Sequence, residues 1–204
     1  MLCVPRKVFM SNRNTVVRSL HDLGAAAWFG GALMGAVGVN GAAAAVRDSR
    51  DRARVASVGW AKWSPVNAAA IAAHLVGGGA ILYSNRHRAK HQSGVTANTV
   101  TKIIATGAAL GATAYSGALG AKTAQGDGQA AHGATEPSSE TPTDVAKAQR
   151  QLRYLQWALP VLTGTVVVLG AQQGEQQRPR EILTGLGNTL ARRTRSTLPS
   201  LSAA

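Results

Sequence analysis

Residues 63–85 read WSPVNAAAIAAHLVGGGAILYSN, with no Asp, Glu, Lys or Arg from one end to the other. A helix needs roughly 20 mostly apolar residues, at about 1.5 Å each, to cross about 30 Å of hydrocarbon, and this stretch is long enough. Three more windows share the property: Leu23 to Val46, Ile103 to Ala121 and Tyr154 to Gly174. The chain as a whole, 204 residues with 45% hydrophobic and 15% charged, resembles a soluble domain on average. The placement of the charges decides otherwise, because all of them lie outside the windows.

Four buried helices of a soluble bundle are the alternative reading. Helices of that kind carry charge along one face for their whole length, and these windows carry none. The sequence therefore reads as an all-α, polytopic membrane protein with four transmembrane helices in a tightly packed bundle, with short interfacial helices. The expected spans are about 23–46, 63–84, 103–121 and 154–172. They form a transmembrane domain over 23–171, between an N-terminal segment, 1–22, and a basic tail, 172–204.

Orientation follows from the basic residues, which concentrate in short cytoplasmic loops. The loop SNRHRAKHQSG carries Arg86, Arg88 and Lys90 and no acid, so it is expected in the cytoplasm together with both termini. The segment RDSRDRARVASVGWAK, residues 47–62, is basic and falls on the other side, against the rule. Trp60, Trp63, Tyr154 and Trp157 support the assignment as an aromatic belt on the outer face. A multi-pass protein of the cell (inner) membrane is the expectation. No cleavable signal is legible, the first span acts as its own insertion signal, and Met10 is an alternative start. The lone Cys3 leaves no disulfide.

The formal net charge of +13 raises the question of nucleic acid. The basic residues are spread over all flanks and no aromatic side chains interleave them, so no nucleic-acid surface is expected. Attraction to anionic lipid, worth about 1 kcal/mol per nearby Lys or Arg, accounts for them.

Local signals position the helices. Ser64 and Pro65 suit the start of the second span, as a cap and a first-turn proline. Thr141 and Asp144 have the spacing of a capping box, so a helix should run from about 142 into the fourth span, with a kink at Pro160. The segment GDGQAAHGATEPSSETPTD, residues 126–144, has the composition of a flexible linker, and 122–143 is expected as a flexible loop. Gly31 and Gly35, and likewise Gly107 and Gly111, have GxxxG spacing, which favours close helix approach within the chain or between chains. Short interfacial helices are expected at 14–23 and after Pro179, where Ile182, Leu183, Leu186 and Leu190 share a side.

Polar residues inside spans are costly and are the natural site candidates. They are Asn40, Asn67 and His74. His74 shares a helix face with Asn67, Ala70 and Gly77, which points it at the bundle interior, in the middle of the membrane. The plainest role is a neutral imidazole bonded to a neighbouring helix; proton relay or ligand contact is the sharper one, and His74 is the one weak candidate for a cofactor. A bis-histidine haem requires two imidazoles at one depth. His21 lies at the boundary of the first span, about half a membrane from His74, so no cofactor is expected. His87 and His91 have i, i+4 spacing, but HRAKH supplies no third ligand and no metal is expected. No catalytic motif occurs, and every acid lies outside the spans.

The passages HDLGAAAWFGGALMGAVGVNGAA, WAKWSPVNAAAIAAHLVGG, LQWALPVLTG and GEQQRPRE resemble small four-span membrane proteins of high-GC actinobacteria, over about residues 18–182. The resemblance implies an inner-membrane location and carries over no functional residue. Three functions fit the sequence. The first is a non-enzymatic accessory or scaffolding subunit that meets anionic lipid, a membrane-protein partner or its own copies. The second is a small oligomeric transporter or channel lined by Asn67 and His74. The third is a haem- or quinone-binding redox subunit.

Overall fold

A computed structural model describes residues 11–89, 93–126 and 128–175. Helix α1 (Ser11–Met34) passes through a π-helical turn (Gly35–Val39) into α2 (Asn40–Ala44), and the three form one continuous span. Then come α3 (Arg52–Ala89), α4 (Ser93–Ala124), the short strands β1 (Ala131–Gly133) and β2 (Glu136–Pro137), and α5 (Thr143–Glu175). Four helices are long and apolar enough to cross a membrane, over Thr15–Ala44, Arg52–Ser84, Asn98–Ala124 and Thr143–Gln173. The all-α, four-span class holds. The C-terminal helix expected after Pro179, the second ligand candidate His91 and the alternative start Met10 lie outside the described residues.

Helix α1 packs most extensively on α3 and next on α5, and α5 packs on α4, while α3 and α4 touch little. Small residues set these distances. A Cβ on Gly31 would overlap the Trp63 indole, and one on Gly35 the Trp60 indole. The first GxxxG is thus a seat for two tryptophans of the same chain. Gly107 and Gly111 of α4 face open space instead. Large apolar side chains such as Leu23, Val76, Ile104 and Val161 point outward, as lipid-facing residues do.

Three expectations about boundaries change. Helix α3 begins at Arg52 rather than at the Ser64–Pro65 pair, and Pro65 lies within it. Residues 52–62 are mostly good helix formers, and the pairing of Trp60 with Gly35 and of Gly59 with Val39 holds them against the first span. Ser64 caps nothing; its hydroxyl donates to the Trp60 carbonyl at 2.8 Å. On the other flank, α1 takes in the segment expected as a separate interfacial helix.

The expected flexible loop is instead a folded cap. Strands β1 and β2 pair antiparallel, and the hydroxyls of Ser138 and Thr141 both donate to the Ala130 carbonyl, at 2.7 and 2.9 Å. Thr141 is thereby drawn into the hairpin rather than into a capping box. The Arg52 guanidinium donates to the carbonyls of Val46, Ala131 and His132, at 2.8, 3.3 and 3.2 Å. It clamps the hairpin to the turn between α2 and α3. Polar composition marked this segment as a connection between spans, but its order comes from side chain to backbone bonds that composition does not express.

Candidate functional site

The site is built where α1 crosses α3. His21 Nδ1 donates to the His74 carbonyl oxygen at 2.7 Å, and His74 Nδ1 donates to the His21 carbonyl oxygen at 3.0 Å. A carbonyl only accepts, so each ring carries a proton on Nδ1 and, when neutral, leaves Nε2 as an acceptor. The rings stack, with centroids 4.0 Å apart and planes 19° from parallel.

Two glycines make this crossing possible. A Cβ on Gly24 would overlap the Ala70 carbonyl and the His74 amide, and a Cβ on Gly77 would overlap the His21 amide and the Val17 carbonyl. Each histidine precedes its glycine by three residues, in HDLG and HLVG, which puts ring and glycine on one helix face. The crossing is pseudo-symmetric: each glycine receives the other histidine's backbone.

Lys102 of α4 completes the cluster. Its ammonium lies 2.8 Å from His21 Nε2, the one ring nitrogen of His21 left free to accept. Gly170 of α5 leaves room for it, since a Cβ there would come within 3.1 Å of Nζ. The three side chains are 7% (His21), 2% (His74) and 9% (Lys102) exposed. Among the described residues, Lys102 forms no ion pair within 4.0 Å. Trp28, 1% exposed, borders the site with its ring centroid 6.3 Å from that of His74. Its indole N–H donates to Thr113 Oγ1 of α4 at 3.2 Å. On the outer side of α1, Thr15, Arg18, Ser19 and Asp22 line a shallow depression of about 200 Å³.

The placement of His74 is therefore corrected. It lies level with His21, with Lys102 and with the turn of α1 that holds Arg18 and Asp22, so charge reaches its depth, and it is not isolated in mid-span. The charge-free windows of α1 and α3 are not in register: Gly31 faces Trp63 and Gly24 faces His74. Over Arg52–Ser84, 33 residues, α3 is about 50 Å long at 1.5 Å per residue, well beyond a hydrocarbon core of about 30 Å. The edges of its charge-free window consequently say little about depth.

The other candidates separate. Asn40 sits at the opposite end of the bundle, where its amide donates to Gln156 Oε1 at 2.8 Å and accepts from the Trp60 indole at 3.0 Å. It ties α2, α3 and α5 together. Asn67 lies two turns before His74 on the same face of α3, and its Oδ1 is buried without a hydrogen-bond partner. The structure brings neither asparagine to the histidines.

Sequence reasoning sets His21 aside on depth and gives no reason to single out Lys102, which lies just outside the charge-free window Ile103 to Ala121. The repeated H-x-x-G was the available signal for the pair. The lysine had none, since its burial depends on its long side chain reaching from α4 to a helix that α4 does not itself pack against. Chemically, the cluster offers nitrogen atoms that exchange protons. Stacked imidazoles whose Nδ1 atoms are bonded to backbone carbonyls do not have the opposed geometry of two axial ligands on one haem iron. Among the described residues, no group of three or more His, Cys, Asp or Glu is arranged to hold a metal ion. No protein-family model, no curated protein and no solved structure matches the chain.

Proposed function

We propose that the protein is a non-enzymatic integral membrane protein that serves as an accessory or scaffolding subunit of a membrane complex. In this reading it sits in the cell membrane with both termini in the cytoplasm and its basic flanks against anionic lipid. One observation carries the proposal: the polar side chains within the spans are largely spent on holding helices to one another. His21 and His74 bond each other's backbone, Asn40 bridges Trp60 and Gln156, and Trp28 reaches Thr113. Such bonds are used as glue between helices that lipid alone does not drive together. The burial of His74 between α1 and α3 weighs against its lining a solute path, and the stacked rings weigh against a haem.

The face of α4 bearing Ile104, Gly107, Ala108 and Gly111 is exposed and is where a partner helix would be received. Affinity purification from native membranes, after cross-linking, tests the reading. A stoichiometric membrane partner, or additional copies of the chain, is the expected outcome; recovery of the chain alone, with lipid only, would overturn it.

A further inference from the structure

We propose that His21, His74 and Lys102 form a proton-binding site that ties the Lys102 side chain of α4 to the α1–α3 crossing with one shared proton and releases it when a second is taken up. The role goes beyond scaffolding and stands whichever partner the protein serves.

The argument rests on hydrogen-bond accounting. Both Nδ1 protons are committed to backbone carbonyls across the crossing, so the free acceptors of the pair are the two Nε2 atoms. That of His21 lies 2.8 Å from Lys102 Nζ, and among the described residues that of His74 has no hydrogen-bond partner. The contact needs one proton between Nζ and Nε2: an ammonium donating to a neutral imidazole, or an imidazolium donating to a neutral amine. A second proton on His21 Nε2 removes the acceptor, and one on His74 Nε2 sets an imidazolium against the ring that already shares the Lys102 proton; either brings two cations together in a buried place, which their mutual repulsion and poor solvation disfavour.

The surroundings leave few ways to relieve that repulsion. From α1 the charges acting on the cluster are Arg18 and Asp22. From α3 the facing group is His74 itself, and from α4 it is Lys102. From α5 the neighbour of the ammonium is Gly170, which has no side chain to offer. Asp22 makes no ion pair with Lys102 within 4.0 Å. The histidines are fixed to each other by backbone bonds and by the close Gly24 and Gly77 contacts, whereas Lys102 is held by one hydrogen bond on a long flexible stem. The lysine side chain is the part free to leave, while α4 itself stays packed on α5. Imidazole is the titratable ring of the cluster, and because a second charge is disfavoured there the release belongs to strong rather than mild acidification.

Trp28 provides the readout. It borders His74 and bonds α4 through Thr113, and a protonated imidazole quenches indole emission. The experiment uses the full chain in lipid nanodiscs with Trp60, Trp63 and Trp157 each changed to Phe, leaving Trp28 as the sole tryptophan, with far-UV circular dichroism checking the helices at each pH. Emission is expected to fall along a sigmoid as pH drops from 8 to 3.5, with the fall in the acid half of that range. With Lys102→Met added, the midpoint should move up by about one pH unit, because the competing cation is gone. With His21→Gln and His74→Gln together, the transition should disappear. A flat response in the folded Trp28-only protein, an unmoved midpoint in Lys102→Met, or a transition that survives loss of both histidines would overturn the proposal. If the double histidine variant does not fold, the Lys102→Met comparison decides by itself.

Discussion

His74 loses more than a side chain when it is replaced by alanine. Its Nδ1 bond to the His21 carbonyl goes, the stack on His21 goes, and a small void is left at a tightly closed crossing. Side-chain hydrogen bonds between membrane helices contribute about 0.6 to 2 kcal/mol, so His74→Ala and His21→Ala are each expected to destabilise by about 1–2 kcal/mol. The two bonds are reciprocal and share one stacked contact, so the double variant should cost clearly less than the sum of the singles. Unfolding in a denaturing detergent series, read by circular dichroism, measures all three. Additive losses would mean that the residues do not form one unit. At this scale the sequence was only partly legible: His74 stood out as a polar residue in an apolar run, but its partner did not, because pairing depends on helix register.

At the scale of elements, glycine has two different jobs here that its spacing alone does not distinguish. In α1, Gly31 and Gly35 seat Trp63 and Trp60; in α4, Gly107 and Gly111 meet nothing within 4 Å. Gly31→Ala should therefore weaken α1–α3 packing by roughly 1–3 kcal/mol through overpacking against an indole. Gly107→Ala should leave the isolated chain as stable or improve it, by up to about 1 kcal/mol from helix propensity. Thermal aggregation midpoints of the two variants in one detergent check this ordering. Gly107→Leu separates packing from docking: it should leave the monomer folded and reduce recovery of whatever binds α4. The Ser64–Pro65 signal illustrates the reverse case, in which local capping chemistry was present and tertiary contacts carried the helix past it.

At the scale of the molecule, the two ends of the bundle are built differently. One end gathers His21, His74 and Lys102 beneath the exposed Asp22 turn; the other is closed by the hairpin, the Arg52 clamp and the bridge of Trp60, Asn40 and Gln156. The clamp joins parts of the chain far apart in sequence, since Arg52 lies 79 residues from Ala131. Arg52→Ala should release the hairpin without unfolding the spans. Hydrogen exchange is expected to rise over residues 130–138 and over the turn at 46–51, with the membrane helices unchanged; unaltered protection of the hairpin would show that its own hydroxyl bonds suffice.

Sequence by itself determined that four helices are long and apolar enough to cross a membrane, because transferring charge into hydrocarbon is costly enough to be read from where charges are absent. It also identified the few polar residues that such a helix tolerates. Only the tertiary structure decided their depth and company. Register between α1 and α3 is set by glycines meeting backbone and indole, a fit of shapes that no window of composition records. That register carries His74 out of an expected isolation in mid-span and places it beside His21 and Lys102.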